Sequence, residues 1–106
     1  MITKVYSAIP HGYAGKLIEV ETSINKGLPA FNIVGMGDKT IFESKDRVRN
    51  AIQNSDLSFP IHKTTVNLAP ANLIKTGSSL DLPITISILV ASRQLPPSDI
   101  SQKIFV

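Results

Sequence analysis

Thr65-Val66-Asn67-Leu68-Ala69-Pro70-Ala71-Asn72-Leu73-Ile74-Lys75-Thr76-Gly77-Ser78-Ser79-Leu80-Asp81-Leu82-Pro83 runs from a strand, through a Pro/Asn break, into a Lys-Thr-Gly-Ser-Ser turn that opens a helix. A Gly/Ser turn feeding a helix points several free backbone N–H groups at one spot, beside the positive helix end. Two occupants suit that spot, a phosphate or a nucleophilic serine. A third reading makes the turn architecture alone. Asn67 and Asn72, flanking Pro70, fit as side-chain fixers of the strand-to-turn backbone.

Working outward, Ile2 to Ile9 alternates as a strand, with Ile2, Lys4 and Tyr6 opposed to Thr3, Val5 and Ser7. Residues 10–15 carry turn chemistry. Lys16 to Ile24 alternates again, and the two strands should pair as a hairpin with the charged face out. Ala30 to Val34 makes a third strand, ended by Gly35-Met36-Gly37. Asp38 is the expected N-cap of a helix over Lys39 to Asn54, with Ile41, Lys45, Val48, Ala51 and Ile52 as its apolar stripe. Glu43, Asp46, Arg47, Arg49 and Asn50 take the wet side. Lys63 to Leu68 is a fourth strand with Val66 and Leu68 inward. The last helix, Leu80 to Ser92, is apolar nearly all round and should be covered on several sides. Pro83 is tolerated only in its first turn, which puts the cap near Ser79 to Asp81. Lys103-Ile104-Phe105-Val106 reads as the start of a further strand, so the expectation is a fragment of a longer protein. The order βββαβαβ, opening with a meander, implies an α/β sandwich with helices on one face.

At 106 residues the chain is one domain with room for a core, and 42% hydrophobic against 18% charged residues excludes disorder. A net charge of +3 permits a nucleic-acid partner without demanding one. The absence of cysteine excludes disulfides, thiolate metal sites and Cys catalysis, and His11 and His62 alone make no zinc site. No secretory signal opens the chain, and its longest apolar run is too short to cross a bilayer. A cytoplasmic location without membrane contact is expected.

Three blocks, Gly27 to Gly35, Glu43 to Ile52 and Thr65 to Pro83, stand in an order and spacing that resemble the N-terminal domain of the Mg-chelatase-like AAA+ proteins of the ComM/YifB type. The resemblance covers nearly the whole chain and is most specific in the third block. Met36-Gly37 departs from it, standing where the family usually has Leu-Pro. The resemblance implies a single domain over 1–106 with the fold of the Lon proteolytic domain, related to GHMP kinases. It further implies a ring-forming ATPase whose ATP- and Mg-binding module lies outside this chain, with other subunits of the same protein and DNA as partners. ComM-type members are implied to be DNA helicases that drive branch migration in natural transformation. No cofactor is expected in this stretch itself.

Under that resemblance Ser79 falls where a Ser/Lys peptidase carries its nucleophile. The base would be a lysine farther down the chain, and Lys75 lies on the wrong side of the turn. Asp81 and Leu82 replace the small pair expected after such a serine, so Ser79 is read instead as a helix cap. Lys75, Gly77, Ser78 and Ser79 resemble a phosphate loop of GHMP-type kinases, yet Asp81 would repel a phosphate. Gly12 to Lys16 lacks P-loop spacing. Lys45, Arg47 and Arg49, joined by Lys39, His62 and Lys63, are the candidate DNA-facing cations. Glu43 and Asp46 interrupt them, and Glu43 should pair with Arg47 at i,i+4, as on a solvated face. Phe42, the one ring on that helix, is expected to offer no platform. The leading expectation is a non-catalytic accessory domain used in subunit packing and DNA guidance.

Overall fold

Apolar–polar alternation makes the strands, and the structure, a computed structural model, describes residues 2–11, 14–70, 78–96 and 105. The elements are β1 (Ile2–His11), β2 (Ala14–Asn25), β3 (Ala30–Val34), α1 (Asp38–Asn54), β4 (Lys63–Ala69) and α2 (Asp81–Ala91). β1 and β2 pair antiparallel from Ile2↔Ser23 to His11↔Ala14, so both strands reach farther into the turn than expected. The sheet order is β1-β2-β4-β3. No meander forms, because β4 inserts between β2 and β3, antiparallel to the first and parallel to the second. Two parallel neighbours need a crossover, and α1 supplies it.

Val5, Ile9, Ile18, Val20, Phe31, Ile33, Val66 and Leu68 all point to one face and join Val48, Ile52, Ile84 and Ile88 in one core. Both helices cover that face, α2 over β1 and β2, α1 beside α2 and over β3. The outer face carries Lys4, Glu19, Glu21 and Asn67, with Lys4 and Glu19 3.8 Å apart. Exposed polar residues there and buried apolar ones opposite are what an antiparallel pair with one wet side requires. Phe105 donates its backbone N–H to the Tyr6 carbonyl at 2.9 Å and packs on the core. The rest of the expected closing strand lies outside the described residues.

α1 is rotated from its expected stripe. Ser44, Val48 and Ile52 are buried, whereas Lys45 is half-buried and Ala51 exposed. Its cap also differs: Gly37 is the N-cap and Asp38 the first helical residue, where its charge still suits the dipole. Both helices close alike. Asp56 at φ 59° and Arg93 at φ 64° take the left-handed position, and Leu57 and Gln94 donate back to the Ile52 and Leu89 carbonyls. That is a Schellman closure made without glycine.

Gly35 is different, because nothing larger fits. Its φ is 112°, and a Cβ there would stand 2.4 Å from the Leu68 carbonyl oxygen. Gly35→Ala should therefore destabilise the chain by more than about 1 kcal/mol, through strain and separation of β3 from β4. The measurement is the urea midpoint, and an unchanged value would show that the β3 exit relaxes freely.

Candidate functional site

The start of α2 is tied to α1 by side chains. Asp81, the first residue of α2, accepts from Arg47 Nε through Oδ2 at 2.5 Å and from Ser44 Oγ through Oδ1 at 3.0 Å. Arg47 Nη2 also donates to Ser44 Oγ at 3.1 Å, so the serine hydroxyl both gives and receives. Glu43 approaches Arg47 Nη1 at 3.7 Å, as its i,i+4 spacing predicts. Ser44 is 1% exposed, whereas the Asp81 and Arg47 side chains retain 20% and 39%. A fork donating to a carboxylate is a strong, oriented pair.

Hydrogen bonding to Asp81 raises the Arg47 pKa above the ordinary arginine value, opposed by desolvation and aided by the charges of Asp81 and Glu43. A raised folded-state pKa contributes stability that is complete below the unfolded value. It is lost only as pH climbs through the arginine range, so neutral pH leaves the guanidinium charged. Arg47 thus serves the α1–α2 junction, although its sequence position suggested a wet face.

Ser79 does not cap α2. Leu80 is the N-cap residue, and no side chain makes the cap hydrogen bond. Ser78 and Ser79 are exposed in the turn, and the Ser78 carbonyl accepts from the Asp81 backbone N–H at 3.1 Å. Lys75 and Gly77 lie outside the described residues, as does Asn72, while Asn67 is exposed on β4. An open cleft of about 380 Å³ beside the junction is lined by Arg47, Ala51, Asp81, Leu82, Thr85 and Leu89.

The other cationic candidates separate from Arg47. Arg49 sits 5.0 Å above the Phe59 ring and 5.7 Å from that of Phe31, and Lys45 lies 5.9 Å from Phe31. The two rings are themselves 4.9 Å apart. Residues two apart on a helix point to nearly opposite sides, so Arg47 turns to α2 and Arg49 to β3. Phe42, expected to offer nothing, is 72% exposed. His62 and Lys63 are exposed at the start of β4. His62 lines a second groove, of about 690 Å³, with Ile24, Phe59, Ile61, Arg93 and Gln94. Sequence reasoning missed Ser44 and the Phe31–Phe59 platform. The i,i+3 spacing of Ser44 and Arg47 was the only local hint of the first, and the second joins segments far apart in the chain.

This geometry defines a mixed α/β domain whose serine-rich helix start is closed by its own carboxylate. Residues 20–106 match the family model described as subunit ChlI of Mg-chelatase. The chain is 45% identical over 102 residues to competence protein ComM of Haemophilus influenzae, covering 96% of this chain and 20% of that protein. It is 48% identical over 85 residues to protein YifB of Escherichia coli K12, covering 80% and 17%. A Mycobacterium tuberculosis H37Rv protein is 37% identical over 93 residues, covering 88% and 18%. The chain belongs to this Mg-chelatase-like family, in its ComM/YifB branch. It spans about a fifth of the length of these curated relatives.

The junction has a measurable strength. Asp81→Ala should destabilise the chain by about 1–3 kcal/mol, because it strips a charged acceptor from Arg47 and leaves the buried Ser44 hydroxyl without it. Arg47→Ala should cost less, since the guanidinium is partly solvated. A double-mutant cycle by urea denaturation should return a coupling of at least about 0.5 kcal/mol. Strictly additive losses would show that the pair is only a crossing of exposed charges.

Proposed function

We propose that this chain is the non-catalytic N-terminal accessory domain of a longer, ring-forming ATPase of the ComM type. The longer protein would be a cytoplasmic DNA helicase driving branch migration during natural transformation. Its ATP and Mg would bind a separate module. The domain's part would be subunit packing and DNA guidance, on a Lon-like scaffold. Membership in the ComM/YifB branch supports the parent's identity, as does the printed name of the Haemophilus influenzae relative as a competence protein. A four-stranded mixed sheet with two helices on one face is compatible with the scaffold.

One observation carries the non-catalytic part: the Asp81 carboxylate stands in the first turn of α2 and is held there by Arg47 and Ser44. An anion arriving at the same helix start meets a fixed negative charge, so phosphate binding is opposed. A peptidase there would need a vacancy for the developing oxyanion next to its serine. The bulk of Leu82 and the charge of Asp81 stand in the two positions that follow the cap.

The purified chain should hydrolyse neither ATP nor an unfolded protein substrate, and Ser79→Ala should leave those blanks unchanged. Peptide cleavage that disappears in Ser79→Ala would establish the peptidase reading instead. The full-length protein should hydrolyse ATP faster when branched DNA is added, and hydrolysis indifferent to DNA would remove the helicase assignment.

A further inference from the structure

The flank of α1 that turns toward β3 combines features that no other described surface does. Phe42, Lys45 and Arg49 are three and four residues apart, which puts them on one side of the helix. Phe42 is 72% exposed, and its ring stands on the same helix side as these cations, open to a partner. Among the described residues neither Lys45 nor Arg49 forms an ion pair. Lys45 is instead held against the Phe31 ring, and Arg49 against both Phe31 and Phe59. Lys39, one turn before Phe42, is exposed and adds a third cation. Asp38, four residues before Phe42, and Asp46 are the acids on this side, so its three cations keep an excess of one, while Glu43 leans away to Arg47. β3 ends the sheet order, so no described strand covers this flank.

We propose that this flank is a contact surface for single-stranded nucleic acid, with Phe42 stacked on an unpaired base and Lys45 and Arg49 against backbone phosphates. The inference rests on the proposed DNA motor and adds to it the strand form recognised and the residues that recognise it. Stacking requires a base face, which a duplex hides inside its own stack. An exposed ring beside cations therefore selects the single strand without selecting sequence. Holding Lys45 and Arg49 on rings limits the side-chain entropy lost when phosphate arrives. Arg47 has no part in the contact, because its guanidinium is engaged by Asp81.

The test is fluorescence anisotropy of the 106-residue chain with labelled oligothymidylate and with a duplex of equal length, at about 50 and 200 mM salt. The single strand should bind tighter than the duplex. Phe42→Ala should weaken single-strand binding about fivefold or more and leave duplex binding unchanged, and Phe42→Tyr should restore it. Lys45→Ala with Arg49→Ala should weaken both and lower the salt slope for the single strand by about 1.4. Unchanged urea midpoints keep these losses from being unfolding. Equal affinity for both forms together with no effect of Phe42→Ala overturns the proposal. So does displacement by polyglutamate as effective as by oligothymidylate, which would mark a surface for acidic protein. If DNA still stimulates ATP hydrolysis by full-length Phe42→Ala protein at the unmodified rate while the chain binds no single strand, this contact fails and the motor reading stands.

Discussion

Every described layer of this domain depends on the burial of α2. Pro83, Ile84, Ile88, Leu89 and Val90 remove most of the helix from water, and they cover β1 and β2 while α1 packs alongside. A fully buried Ile or Leu contributes about 1.5–3 kcal/mol. No comparable apolar mass lies on α1, whose buried positions are Ser44, Val48 and Ile52. The helix has little β-branch-tolerant propensity in its favour, so tertiary burial decides its conformation. Polar pins then set its position along the sheet. Asp81 meets Arg47 and Ser44 at the start. In the middle, Ser87 Oγ donates to Thr22 Oγ1 at 2.6 Å between two buried side chains. Beyond the end, Gln94 exchanges two hydrogen bonds with the Ser58 backbone, which fastens the α1–β4 loop.

These pins explain which parts of the fold were legible in the sequence. Period-two alternation specified β1, β2 and β4, and Ala30 to Val34 was readable between its Gly-Leu-Pro and Gly-Met-Gly borders. Strand order was not readable. β3 joins β4 through parallel bonds between Ala30↔Lys63 and Val34↔Asn67, and nothing local distinguishes that partner from β2. The α1 stripe was misjudged at Ser44, Lys45 and Ala51, since apolar spacing alone gives a hydroxyl no reason to turn inward. Ser44 goes inward because Asp81, 37 residues away, accepts its proton and Arg47 satisfies its oxygen. The α2 cap, Leu80, falls inside the window of Ser79 to Asp81 that Pro83 set, but neither Asp38 nor Ser79 is itself the cap residue, for a related reason. Asp38 and Ser79 have cap chemistry, but the helices start at positions fixed by their buried faces, at Asp38 itself and at Asp81.

The candidate site was legible in part. Asp81 was singled out as a charge at a helix start, and the structure supplies the partners that hold it. The basic helix was recognised as a charge pattern, yet its division into two roles needed coordinates. Glu43 and Arg47 form the pair that spacing predicts. Arg49 stands over Phe59, a contact between α1 and a loop that composition cannot disclose.

That division of the arginines is the main constraint on function. A carboxylate and an aromatic face both attract guanidinium, but with different consequences for a polyanion. Arg47 has its charge matched by Asp81 and Glu43 at 2.5 and 3.7 Å, so a phosphate would have to displace a bound anion to use it. Arg49 over Phe31 and Phe59 keeps its full charge, because a ring quadrupole orients a cation without neutralising it. The same helix therefore presents a neutralised arginine toward α2 and an unneutralised one toward the open edge of the sheet. Cohesion between the helices and attraction for an anionic partner are thus separated by two residues of sequence and just over half a turn of helix, so a change to one need not disturb the other.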